Sequence, residues 1–202
     1  MKVLVACEES QTVCRAFREL GHESYSCDIQ DCSGGHPEWH VMGNCLPLLN
    51  GDCSFTTNDG LQHSVKGEWD LLICHPPCTY MSKAGARWMY AGGVLNRERL
   101  SLAMEARDFF FKCYNAKCKH IAVENPVPLK IVNLPPPKLL RAAFPSWRAL
   151  QQEDPALAQK SAAHHSYGHP GGLQALSAQQ RRWQEERTEV FIRRFQKFQG
   201  VE

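Results

Sequence analysis

Ten cysteines occur in this 202-residue chain without a single Cys-x-x-Cys pair. The tight ligand spacing of structural zinc sites is therefore missing. Zinc would have to be assembled from looser pairs such as Cys27/Cys32, Cys45/Cys53 or Cys113/Cys118, and no metal site is expected. No apolar run approaches the roughly 20 residues of a membrane span, so no membrane association is expected either. A signal-peptide pattern is absent as well, because Met1-Lys2 passes directly into Val3-Leu4-Val5-Ala6. These absences imply a cytoplasmic location, where thiols stay reduced, and most of the cysteines read as small core residues. Neither sign of charge dominates. The formal net charge is only +2, so charge alone does not announce a nucleic-acid binder.

What is present is the pattern of an α/β protein. A chain of this length suffices for one α/β domain with a real core and leaves little for a second. Residues 2–6 form a β-branched apolar strand, followed by the polar turn Cys7-Glu8-Glu9-Ser10. Val13, Ala16, Phe17 and Leu20 recur at helical spacing over residues 11–20, with Ser10 as a candidate N-cap and Gly21 as a C-terminal cap. A second strand over 23–27 ends at Asp28. Residues 30–66, rich in Gly, Asn, Asp and Ser, read as loops with short strands. A strand over 69–74 runs into His75-Pro76-Pro77-Cys78, and residues 79–95 read as a mobile segment. A helix is expected over 96–116, with Leu100, Ala103, Met104, Phe110 and Phe111 on its apolar face. The strand 120–124 is then stopped by Asn125-Pro126.

Alternating strands and helices predict a mostly parallel, Rossmann-like sheet. Proline cannot continue a central ladder, so Cys78 must lie just beyond the carboxyl end of its strand. Ligands bind at that edge of open α/β sheets. Cys7–Ser10, Asp28, Cys78 and Glu124 are all expected there. At this point Cys78 is a nucleophile, a metal ligand or only a small packed side chain. An adjacent carboxylate at Glu124, an acidic strand tip at Asp28 and the stiff proline mount make the first reading worth pursuing.

The same residues resemble motifs of the DNA cytosine-5 methyltransferases, particularly the short forms of phages and prophages. Val3-Leu4-Val5-Ala6-Cys7-Glu8-Glu9-Ser10 is similar to the first cofactor motif, without the Phe-x-Gly-x-Gly of the larger enzymes. Ser26-Cys27-Asp28 resembles the acidic ribose contact, Pro76-Pro77-Cys78 the nucleophile motif, and Val123-Glu124-Asn125 the Glu-Asn-Val motif. Gly43-Asn44 stands where the phage-type group usually has Gly-Asp, and Asn44 can accept the same adenine hydrogen bond. The resemblance spans about residues 1–137. It implies a Rossmann-like S-adenosylmethionine-dependent methyltransferase domain acting on DNA in the cytoplasm of a bacterial host.

The implied chemistry assigns Cys78 as nucleophile toward C6 of a flipped cytosine and Glu124 as the contact to N3. Cys7, Glu8, Glu9, Ser10, Asp28, Asn44 and Pro76 would hold S-adenosylmethionine. Pro77, Asn125, Lys83 and Arg87 would meet the substrate, with Arg97 and Arg99 as further candidate phosphate contacts. Trp39, Trp69 and Trp88 read as core or lid residues. Two other readings stand beside this one: an inactive cofactor- or nucleic-acid-binding relic of the fold, and a zinc or thiol module.

Past Pro137 the strand signals stop. Residues 138–202 hold 10 Lys+Arg against 6 Asp+Glu, whereas residues 1–137 hold 13 against 15. The stretch 150–158 is compatible with a family strand read in a shifted frame, so the sheet is expected to be incomplete at its C-terminus. The tail then reads as a divergent basic segment, helical or disordered. Loss of cover on the sheet predicts self-association.

Overall fold

The turn after residues 2–6, the acidic tip at Asp28, the prolines after residues 69–74 and Glu124 fall at one edge of a single parallel sheet. The structure is a computed structural model that describes residues 1–124 and 127–135. The chain divides after Asn133, and the described residues lie almost wholly in the first unit, Met1–Asn133. Its elements run in order β1 (Lys2–Ala6), α1 (Thr12–Glu19), β2 (Glu23–Asp28), β3 (His40–Met42), β4 (Cys53–Thr56), β5 (Gln62–Val65), β6 (Leu71–Cys74), α2 (Ala86–Met89), β7 (Tyr90–Ala91), β8 (Val94–Leu95), α3 (Arg97–Tyr114) and β9 (Ile121–Val123).

Five strands form the main sheet in the order β3-β2-β1-β6-β9, and every neighbouring pair is parallel. β1 is central, with Leu4 facing Tyr25 on one side and Leu72 on the other. The chain winds outward from β1 to β3, then returns to start again at β6. The order reverses between β1 and β6, a topological switch point of the Rossmann-like kind.

Both sheet faces are covered, which is why β1 and β6 read as unbroken apolar runs rather than alternating ones. Leu4, Ala6, Tyr25, Cys27, Leu72 and Cys74 share one core with Trp69, the hairpin residues Phe55 and Val65, and Cys113 of α3. α1 covers the opposite face, where Cys14 lies against Ser24 and Ser26 and Val13 and Phe17 are buried. Trp69 is wholly buried and its indole N–H donates to Leu48 O at 2.6 Å.

Local signals at the helix ends succeed in part. α1 closes in a Schellman motif, with Gly21 N donating to Arg18 O and His22 N to Phe17 O, and Gly21 takes the positive φ of 78° that this turn requires. Its start differs from expectation. Ser10 does not cap it. Gln11 occupies the cap position in a left-handed conformation, and the Glu8 carboxylate reaches forward to Val13 N and Cys14 N at 2.6 and 3.1 Å. A longer side chain set further back does the work of the expected hydroxyl. α3 is capped by Asn96, whose Oδ1 accepts from Arg99 N. Its fully buried stripe is Ala103, Phe110 and Cys113, while Leu100, Met104 and Phe111 are half-buried.

The short strands expected within 30–66 are present. His40–Met42 joins the parallel sheet as its outer strand, and 53–65 contains an antiparallel hairpin. Within 79–95, α2 is followed by the two-residue ladder β7–β8. Asn125 and the expectations for residues 138–202, including the frame-shifted tail and the incomplete sheet, lie outside the described residues.

Candidate active site at the carboxyl edge

Parallel strands put their carboxyl ends at one edge, so the predicted residues converge by topology. Cys7 follows β1, Asp28 ends β2, Asn44 follows β3, Pro76, Pro77 and Cys78 follow β6, and Glu124 follows β9. Cys78 and Glu124 come from adjacent strands in register, with Cys74 opposite Val123, and Glu124 N donates to Cys74 O at 2.9 Å. The two loops are also stitched together beyond the strands. Lys83 N donates to Val127 O at 3.0 Å, and Leu129 N to Met81 O at 2.7 Å. Cys78 itself organises the turn, since its carbonyl accepts from both Met81 N and Ser82 N.

Cys78 is half-buried, Pro76 is buried and Pro77 is exposed. Burial pushes the Cys78 thiol up from its ordinary 9.0 to about 11, and the Glu124 charge pushes in the same direction. That electrostatic effect means the carboxylate lies within interaction range of the sulfur. At neutral pH the thiol therefore keeps its proton.

The first loop is built differently from a phosphate-binding turn. The first free N–H groups of a helix ordinarily make an anion site, yet in α1 two of them are consumed by the buried Glu8 carboxylate. Burial raises Glu8 from 4.5 to about 7, against the lowering effect of those two hydrogen bonds. The Glu8 side chain thus caps α1 from inside the core. Cys7 holds a positive φ of 62°, and its thiol is hydrogen-bonded to Cys45, which together with burial keeps it protonated. Glu9 accepts from both the backbone and the hydroxyl of Ser33. Ser10 accepts from the Thr12 hydroxyl at 3.1 Å.

Asp28 is half-buried. Its Oδ1 accepts from Gln30 N at 3.0 Å, and Oδ2 has no partner among the described residues. Asn44 is exposed, and its Oδ1 accepts from Leu46 N at 3.0 Å in a local turn. Lys83 and Arg87 are both exposed, and the Arg87 guanidinium stacks 4.8 Å above the Trp88 ring.

No family model, curated protein or solved structure matches the chain. Among the described residues no group of three or more His, Cys, Asp or Glu could hold a metal ion. No helix among them is long and apolar enough to cross a membrane.

One structural residue of the site was not anticipated. Gln11 is only 1% exposed, and its amide exchanges hydrogen bonds with the backbone of His36, Nε2 to O at 2.7 Å and N to Oε1 at 3.0 Å. It pins the 31–36 loop over the β1–α1 turn. The Gly34-Gly35 pair was the available signal, since a Cβ at Gly34 would come within 2.6 Å of Ser10 O. The three tryptophans also separate: Trp69 is core, Trp39 stacks on His36, and Trp88 is half exposed.

Proposed function

We propose that the protein is a DNA cytosine-5 methyltransferase of the phage type, using Cys78 as nucleophile and Glu124 as its acid–base partner. The observation that carries this reading is the stitched pair of loops holding a thiol and a carboxylate within electrostatic range. Cytosine addition needs both: a thiolate to form the bond to C6, and a proton at N3 to take up the charge that develops on the ring. Thiol and carboxylate repel as anions. The reactive arrangement is therefore a Cys78 thiolate with a protonated Glu124, the acid then serving N3. A water then takes the C5 proton, the C6–S bond breaks to release the Cys78 thiolate, and N3 returns its proton to Glu124, which restores the aromatic base.

The residues at the switch point fit a nucleoside cofactor better than a dinucleotide. Two of the α1 amides that could receive a pyrophosphate are occupied by Glu8, whereas Asp28 keeps one carboxylate oxygen for a ribose hydroxyl and Asn44 stands at the adjacent strand end. S-adenosylmethionine in that crevice would supply the methyl group for C5. Asp28, Asn44 and the backbone of Cys7–Ser10 would hold it, and Pro76 would border it.

The raised Cys78 thiol is also what a binding-only relic of the fold would have, and one experiment separates the two. Full-length protein is incubated with S-adenosylmethionine and duplex DNA carrying 5-fluorocytosine. A denaturation-resistant adduct on the Cys78 peptide is expected. Adduct-free protein that still binds the DNA would leave only the relic reading.

A further inference from the structure

The segment that follows Cys78 in the chain carries a second feature that the chemistry above does not use. Tyr80, Trp88, Asn96, Glu98, Arg99 and Leu102 line a pocket of about 220 Å³. That is below the roughly 300–1,000 Å³ of sites for drug-sized ligands, so it suits a single ring system rather than a whole cofactor. Two of its walls are aromatic. The Trp88 ring is 50% exposed with Arg87 stacked on it, and the Arg99 guanidinium stacks 5.0 Å from the Tyr80 ring.

Arg99 is held in place. Its Nη2 donates to Thr79 O at 3.1 Å, and a Cβ at Gly85 would crowd both Nη2 at 2.6 Å and Thr79 O at 2.9 Å. Yet its Nε–H is shielded from solvent and has no hydrogen-bond partner among the described residues. A shielded guanidinium N–H without an acceptor costs free energy and points to an acceptor brought by a ligand. Tyr90 and Val94 on the same segment are exposed apolar residues as well.

We propose that this pocket receives one unstacked nucleobase of a DNA strand, held between the Tyr80 and Trp88 rings, with Arg99 donating to the same nucleotide. The inference deepens the preceding reading and rests on it for the identity of the partner as DNA. Aromatic faces combined with cations are how single-stranded nucleic acid is held without sequence preference. Tyr80 stands two residues after Cys78 in the chain, so a base held against it would belong to the DNA strand near the target nucleotide.

The test uses full-length protein and fluorescein-labelled oligothymidylate, which contains no cytosine and so reads the pocket independently of Cys78 chemistry. Fluorescence anisotropy should show binding that Trp88→Ala and Tyr80→Ala each weaken about tenfold, while Trp88→Phe, which keeps a ring face, recovers most of the loss. Circular dichroism of each variant checks that the fold persists. Equal affinity in wild type, Trp88→Ala and Tyr80→Ala overturns the proposal, and so does a loss that Trp88→Phe fails to restore. Ring-dependent oligothymidylate binding without a 5-fluorocytosine adduct would keep the pocket and remove the methyltransferase. An adduct with ring-independent binding would do the reverse.

Discussion

Cys78 and Glu124 form a pair whose charges are linked, and the linkage has a measurable sign. The Glu124 charge helps hold the Cys78 thiol near 11, so Glu124→Gln is expected to lower that value toward 9. Alkylation of the Cys78 peptide by iodoacetamide, followed by mass spectrometry across pH 7–11, reads it; an unchanged profile would separate the two groups. Glu8 gives a second prediction at this scale. Its carboxyl is raised from 4.5 to about 7, so between those values the folded protein holds a proton that the unfolded chain has released. Stability must then fall as pH rises across that window and level off above it, by on the order of 3 kcal/mol from this group. Glu8→Gln should remove that part of the slope in urea unfolding at pH 5 and pH 7.5.

At the scale of elements, the β1–α1 turn is a sealed joint rather than an open cradle. Gln11 and Glu9 fasten the 31–36 loop, and Gly34 lets that loop approach the Ser10 carbonyl. Gly34→Ala forces a Cβ to within 2.6 Å of both Ser10 O and Gln11 Cβ, neither of which is the free end of a flexible side chain. The expected cost is about 1–3 kcal/mol in denaturant unfolding; an unaffected midpoint would mean that the loop does not pack as described. The strands 2–6 and 69–74 were readable because their apolar runs are buried on both faces. The outer strand His40–Met42 was not, because three residues carry no period and its pairing to β2 is decided by sequence-distant backbone contacts. The start of α1 misled for a related reason. Capping chemistry is local for Ser10 but depends, for Glu8, on a fold that buries its carboxylate five residues before Val13.

For the molecule as a whole, the parallel order β3-β2-β1-β6-β9 converts five strand tips scattered over residues 7–124 into one edge. If S-adenosylmethionine binds in the crevice at the switch point, it should stabilise the folded chain by about 2.7 kcal/mol at 100 times its Kd, a rise of several degrees in Tm. Differential scanning fluorimetry with and without the cofactor measures this, and Asp28→Ala should remove most of the shift. A cofactor-independent Tm in the wild type would count against the nucleoside site.

The sequence by itself determined the α/β alternation, the two double-buried strands and the positions where proline or polar residues end them, because these follow from short-range periodicity and backbone sterics. It also determined which residue types stand at those ends. Only the tertiary structure decided that Glu8 turns inward to cap α1, that the Cys7 thiol is hydrogen-bonded to Cys45, and that Trp88 faces solvent while Trp69 is buried. Those outcomes depend on which neighbours compete for each side chain, and the neighbours come from distant parts of the chain. Cys78 and Glu124 belong to both levels: strand ends placed them on one edge, and the stitching of Met81–Lys83 to Val127–Leu129 brought their loops together.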